Sequence, residues 1–197
     1  MADYVLVHGG MNTGAVWDKV AYFLRDKGHR VFCPDLPSSK RGCALDDDVE
    51  AVCKVIRGNG LRKIILAGHS YGGIVVAGVF GKMPGKIAEL VFFDTAIPED
   101  GKSLYQIMDG YLPGLVAKFK LPLEKPFTDA VHFDRKKLNA VPKKYVHCTK
   151  SEFLPVGKKA LAIVQKKRGW KCFSIESDHH CMVSRPKETA KVLLGMD

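Results

Sequence analysis

A serine set among glycines, with histidines and an aspartate behind other apolar runs, carries the chemistry of this sequence. Gly68-His69-Ser70-Tyr71-Gly72 is a G-x-S-x-G turn. It follows the apolar run Ile64–Ala67 and precedes the small-residue stretch Gly73–Phe80. That setting predicts a strand, a tight turn and a helix, the context in which such a serine becomes a nucleophile. Gly68, Gly72 and Gly73 let strand and helix approach closely. The strained turn pushes the serine oxygen out above the sheet, where a histidine can reach it. The helix that starts at the serine favours negative charge developing near its N-terminal N–H groups. A glycine-rich turn used only for packing is the plainer reading, but it leaves the other strand ends unexplained. His8, Asp94 and His179 each fall just after a predicted strand, as Ser70 does.

The elements that must position these residues follow from the hydrophobic pattern. Strands are predicted at Tyr4–Val7, Arg30–Cys33, Ile64–Ala67, Ile87–Phe93, Lys144–Cys148 and Trp170–Ile175. A helix is expected over Ala15–Lys27, capped by Asn12 or Thr13. Leu45, Val49, Val52 and Ile56 mark one face of a second helix, with Asp46, Asp47 and Asp48 at its positive end. Further helices are expected over Pro155–Lys167 and from Pro186 to near Leu194. Strands alternating with helices imply an α/β fold, a mostly parallel sheet of about six strands covered on both faces. Function then belongs at the carboxyl ends of the strands. Residues 98–142 break the alternation, with proline, aromatics, lysine and only short helical hints at Ser103–Met108 and Asp134–Asn139. An insertion of that length is usually functional. The expectation is one domain over residues 1–197, with a cap at about 98–142 lying over the site.

Composition narrows the class. The chain has 197 residues, 46% hydrophobic and 26% charged, ordinary for one globular domain with a sizeable core. No apolar run reaches membrane-spanning length, and no basic leader precedes Tyr4, so a cytoplasmic location is expected. The six cysteines form neither a C-x-x-C pair nor a zinc spacing. Cys33, Cys148 and Cys172 lie in strand-like runs and are expected as small, reduced hydrophobes. Net charge is +10. Residues 1–100 hold 12 basic and 12 acidic side chains, so the excess lies in residues 101–197, with 19 and 9. This half can steer anions, but a solvated lysine-rich surface is the simpler account, and no nucleic-acid motif accompanies it.

The sequence resembles an α/β-hydrolase, in particular the compact branch of plant methyl-ester esterases, hydroxynitrile lyases and their bacterial relatives. The matching residues are His8-Gly9-Gly10 with Trp17, the Gly68–Gly73 turn, Val91–Gly101 (VFFDTAIPEDG), and Asp178-His179-His180-Cys181-Met182 with Pro186. The likeness covers nearly the whole chain except the cap, which is shorter than in the plant enzymes. It implies Ser70 as nucleophile, His179 as general base, and the backbone N–H groups of Gly10 and Tyr71 as the oxyanion hole. Serine needs a base to take its proton, and the tetrahedral oxyanion needs donors already in place. His180 competes with His179, but the branch places the base directly after the residue that ends the loop. A metal reading of His179-His180-Cys181 lacks further ligands at useful spacing, and no metal or cofactor is expected.

The third member departs from the pattern. The branch carries an aspartate after a strand ending in Cys-Thr, whereas this chain reads Cys148-Thr149-Lys150-Ser151-Glu152-Phe153. A carboxylate must still orient the histidine. Asp94, one strand nearer the nucleophile, is the expected substitute, with Glu152 the alternative. The lyases carry threonine at the position of Gly9 and lysine at that of His180, so cyanohydrin cleavage is not expected. Tyr105, Ile107, Met108, Tyr111, Leu112, Phe119, Phe127 and Phe133 are the cap's candidates for an apolar pocket wall. The expected activity is hydrolysis of small, fairly apolar esters. A hydrolase-like ligand-binding or signalling protein is the alternative. The expected partner is a small-molecule ester, with no nucleic acid and no membrane span; a homodimer stays open.

Overall fold

The computed structural model describes residues 1–39, 42–108, 114 and 125–196. Its strands are β1 (Asp3–Val7), β2 (Arg30–Phe32), β3 (Ile64–His69), β4 (Ile87–Phe93), β5 (Lys143–Cys148) and β6 (Trp170–Ile175). They form one sheet in the order β2-β1-β3-β4-β5-β6, parallel throughout. The helices are α1 (Asp18–Asp26), α2 (Leu45–Gly58), α3 (Gly72–Lys82), α4 (Leu104–Ile107), α5 (Lys125–Thr128), α6 (Arg135–Ala140), α7 (Leu154–Val164), α8 (Cys181–Ser184) and α9 (Pro186–Leu194).

The two-residue period of the strands divides the core into two layers. Val5, Val7, Leu66, Leu90, Phe92 and Tyr145 face α2, α3 and α7. Tyr4, Leu6, Ala67, Val91, Phe93 and Val146 face α1 and α9. Both faces of the sheet are therefore apolar, as a parallel sheet between helices requires. β3 lies between β1 and β4, so the chain leaving it emerges near the middle of the sheet's carboxyl edge.

Local departures have local causes. The first helix opens as a 3₁₀ turn at Gly14–Trp17, and neither Asn12 nor Thr13 caps it through a side chain. The Asp35 carboxylate takes the Gly14 N–H at 2.6 Å instead, and Asn12 Nδ2 donates to the Gly10 carbonyl at 3.0 Å. The single-turn helices α5 and α8 are too short to show a 3.6-residue period. Cys148 is buried, Cys33 half-buried and Cys172 exposed, so the small-hydrophobe reading fails at Cys172, which lies on an edge strand. Lys143 is nearly sealed from solvent, and its ammonium donates to the carbonyls of Leu138 at 2.6 Å and Val141 at 2.5 Å. It thereby ties the end of α6 to the start of β5. Among the described residues no helix is long and apolar enough to cross a membrane.

Candidate active site

Ser70 lies between β3 and α3 with φ +52°, in the left-handed region that a serine seldom occupies. A side chain on Gly68 would come within 2.3 Å of the Gly72 carbonyl oxygen, and one on Gly72 within 2.7 Å of the Val7 and His8 carbonyls. The turn therefore has no room for alanine at either place. It is also fixed from the next strand. The Ser70 N–H donates to the Phe93 carbonyl at 3.0 Å, and Thr95 Oγ1 donates to the Ser70 carbonyl at 2.6 Å.

His179 follows β6 in a loop and is buried. Its Nδ1 donates to Asp94 Oδ2 at 2.7 Å, which leaves Nε2 as the basic nitrogen. Asp94, at the end of β4 with φ +42°, is buried as well. The same Oδ2 accepts a hydrogen bond from Ser151 Oγ. Oδ1 faces the Cys148 N–H at 3.4 Å and, at 3.9 Å, Nδ1 of the buried His147. Gly157 makes that packing feasible, since a side chain there would come within 2.8 Å of His147 Nδ1 and 3.0 Å of Asp94 Oδ1. Glu152 takes a different role from the one considered for it. Its carboxylate accepts the His179 backbone N–H at 3.3 Å, so it holds the loop and not the ring.

The loop after β1 faces the serine from the other side. His8 Nδ1 donates to the Gly9 carbonyl at 2.7 Å, while its Nε2 accepts the Leu36 N–H at 3.0 Å. Burial holds the His8 imidazole below its ordinary pKa and so favours this neutral, bridging form. Among the described residues, no acceptor takes the N–H of Gly10 or of Tyr71.

These groups share a cavity of about 500 Å³. Gly10, Ser70, Tyr71, Asp94 and His179 all line it, so the five residues singled out from the sequence converge. Tyr105, Met108 and Phe127 supply apolar wall from the insertion. Phe133 does not, since it lines a separate cavity of about 240 Å³, and Ile107 packs into the core. Tyr111, Leu112 and Phe119 lie outside the described residues. No hydrogen bond joins Ser70 Oγ to His179 Nε2 among the described residues.

His69 was not singled out by the sequence. It is fully buried, its Nε2 donates to the His179 carbonyl at 2.8 Å, and its ring lies 4.4 Å from that of His179. Its Nδ1 is buried without a partner. Burial, with His179 and His180 nearby, pushes its pKa well below 6.5. The folded protein therefore keeps His69 neutral where the unfolded chain accepts a proton. Stability is fully present above pH 6.5 and is lost as pH falls below it. The loss is up to about 1.4 kcal/mol per pH unit for each such group. His69→Gln should flatten this acid-side slope, measured as urea midpoints between pH 7.5 and 5.5. An unchanged slope would rule the assignment out.

The sequence matches the family model of the alpha/beta hydrolase fold over residues 5–170. The chain belongs to the α/β-hydrolase family. Over 120 residues it is 37% identical to a carbendazim hydrolyzing esterase of Nocardioides sp. (strain SG-4G), covering 57% of this chain and 50% of that protein. Over 132 residues it is 29% identical to methylesterase 9 of Arabidopsis thaliana, covering 63% and 52%. The match thus spans about half the length of these curated relatives. The fold also resembles an extracellular α/β-hydrolase from a Paenibacillus species, with TM-score 0.79, 24% identity, and coverage of 99% of this chain and 98% of that one. The carboxylate on the histidine comes from the end of β4, while Ser151, after β5, donates to it.

Proposed function

We propose that this chain is a serine-dependent carboxylesterase acting on small, fairly apolar esters. The observation that carries the reading is the 2.7 Å bond from His179 Nδ1 to Asp94 Oδ2, in the cavity that also holds Ser70. The names of the two curated relatives, an esterase and a methylesterase, point the same way.

In this mechanism Ser70 Oγ attacks the ester carbonyl as its proton passes to His179 Nε2. The buried Asp94 carboxylate stabilises the imidazolium and holds the tautomer. The carbonyl oxygen becomes an oxyanion and receives the N–H groups of Gly10 and Tyr71. Collapse of the tetrahedral species returns the proton to the departing alcohol and leaves an acyl group on Ser70. Water, deprotonated by His179, then releases the acid and restores the serine. Side chains and backbone N–H groups of the chain, with water as the second nucleophile, supply the groups this cycle uses. Gly9 fits this reaction better than cyanohydrin cleavage. A side chain there would lie 3.0 Å from both His69 Nδ1 and Ser70 Cβ, so the threonine of the lyases would fit only if those neighbours gave way by a few tenths of an ångström.

The same proposal treats residues 1–197 as one domain with 98–142 as its cap, in a cytoplasmic setting that suits six free thiols. A second reading, a ligand-binding protein on this scaffold, is favoured by the missing Ser70–His179 hydrogen bond. Such bonds are often long or absent before substrate arrives, so the esterase reading takes precedence. A fluorophosphonate probe separates the two. Stoichiometric labelling of Ser70 in folded protein is expected, and an unreactive Ser70 would leave only binding.

A further inference from the structure

Asp48 is fully buried, yet it belongs neither to the Ser70–His179–Asp94 group nor to an ion pair among the described residues. It lies in the first turns of α2, where the helix's positive end favours a carboxylate. Its Oδ2 accepts the Tyr71 hydroxyl at 2.5 Å, and its Oδ1 accepts the Ser38 N–H at 2.8 Å. Two residues before Ser38, the Leu36 N–H donates to His8, which in turn holds the Gly9 carbonyl. A continuous path therefore runs from Tyr71 through Asp48 and the turn at Leu36–Ser38 to His8 and the loop carrying Gly10. Its two ends are the residues whose N–H groups would receive the oxyanion.

The cap meets the same path. The Phe127 ring packs tilted against Tyr71 with centroids 4.7 Å apart, and a side chain on Gly10 would come within 2.9 Å of its Cζ. Asp129, two residues on, accepts the Leu45 N–H at the start of α2 at 3.1 Å. Burial and the Asp48 charge raise the Tyr71 phenol far above its ordinary pKa, so it remains a donor.

We propose that Asp48 is a positioning residue for the oxyanion hole, fixing the separation of the Gly10 and Tyr71 N–H groups through Tyr71 on one side and the Leu36–His8 link on the other. This rests on the esterase reading. A role in packing alone does not call for a charge, since an apolar side chain of similar volume fills such a place as well or better. A carboxylate is suited to gripping two donors at once through charge-assisted bonds. Errors of about 1 Å in such placement cost on the order of 100-fold in rate.

The test uses Tyr71→Phe, which removes only the hydroxyl, together with Asp48→Ala and Asp48→Asn. Ester turnover, thermal midpoint and affinity for phenylboronate are measured for each. The boronate forms a tetrahedral anion: Ser70 Oγ bonds to boron as its proton passes to His179. Tyr71→Phe and Asp48→Ala are expected to lower kcat about 10- to 100-fold, with KM within about threefold, and to weaken boronate by a similar factor. Asp48→Asn keeps one acceptor and should fall between Asp48→Ala and the native chain. If Asp48→Ala does not fold, Tyr71→Phe alone decides. Lower thermal midpoints with kcat and boronate affinity held within twofold would overturn the proposal. A native chain that neither turns over esters nor binds boronate would overturn the esterase reading and this one with it. One that binds boronate without turnover removes only the former, and the boronate affinities of the variants still decide the role of Asp48.

Discussion

Ser70→Ala is expected to lower kcat on short-chain p-nitrophenyl esters by on the order of 10⁶-fold, and His179→Ala by a similar factor. The two should not add. The serine oxygen attacks only as its proton leaves, and the imidazole helps only if there is an oxygen to deprotonate. The double variant is therefore expected to be no slower than either single one, with a small residual rate from the Gly10 and Tyr71 donors. Neither change should unfold the protein. Ser70 is only half-buried, and the turn is held by backbone bonds to Phe93 and by Thr95. Steady-state and single-turnover rates, with circular dichroism to confirm folding, provide the measurement. Native-like turnover in either variant would exclude an acyl-enzyme on Ser70.

The second large effect concerns the carboxylate. Asp94→Asn is expected to lower kcat about 10⁴-fold, because an amide in that place stabilises the wrong tautomer and no longer balances the imidazolium. Glu152→Gln should change kcat only about threefold, since its contact is to the His179 backbone and charge-assisted bonds of that kind are worth a modest amount at an exposed site. A more specific outcome follows from Ser151. Its Oγ and His179 Nδ1 both reach one oxygen, Asp94 Oδ2. A carboxylate at position 151 therefore starts within reach of the imidazole. Adding Ser151→Asp to Asp94→Asn should recover at least tenfold of the lost rate. If Glu152→Gln proves the more damaging change, or if Ser151→Asp recovers nothing while the protein stays folded, the orientation of His179 has been misassigned.

Some of this architecture was legible in the sequence because its causes are short-range. β4 and β6 coincide with the predicted spans Ile87–Phe93 and Trp170–Ile175, since a short apolar run bounded by turn residues is a local signal. The order of elements made a parallel sheet with a carboxyl-edge site the natural solution. The short helix α5 gave no such signal, although its Phe127 touches both Gly10 and Tyr71. One turn of helix carries no period, and the wall it forms depends on where the insertion folds back.

Asp46, Asp47 and Asp48 look alike in the sequence, as three charges at a helix start. In the structure Asp46 is exposed and pairs with Lys82. Asp47 caps the helix through the Ala44 N–H. Asp48 is turned inward onto Tyr71, because α2 packs with that face against α3. Helical phase can say that one of the three points inward, but not that a tyrosine hydroxyl waits there.

The sequence by itself determined the fold class, the serine turn, and the histidine and glycines that accompany it. Gly68 is dictated by a clash inside the turn, with the Gly72 carbonyl, whereas the close approach that requires Gly72 comes from the Val7 and His8 carbonyls at the end of a neighbouring strand. Only the tertiary structure decided which carboxylate meets His179. That contact joins residues 85 positions apart, and it depends on the relative height of two strand ends. Asp94 reaches the His179 ring and Glu152 its backbone N–H, a difference set by the packing of whole strands and helices and written in no single stretch of the chain.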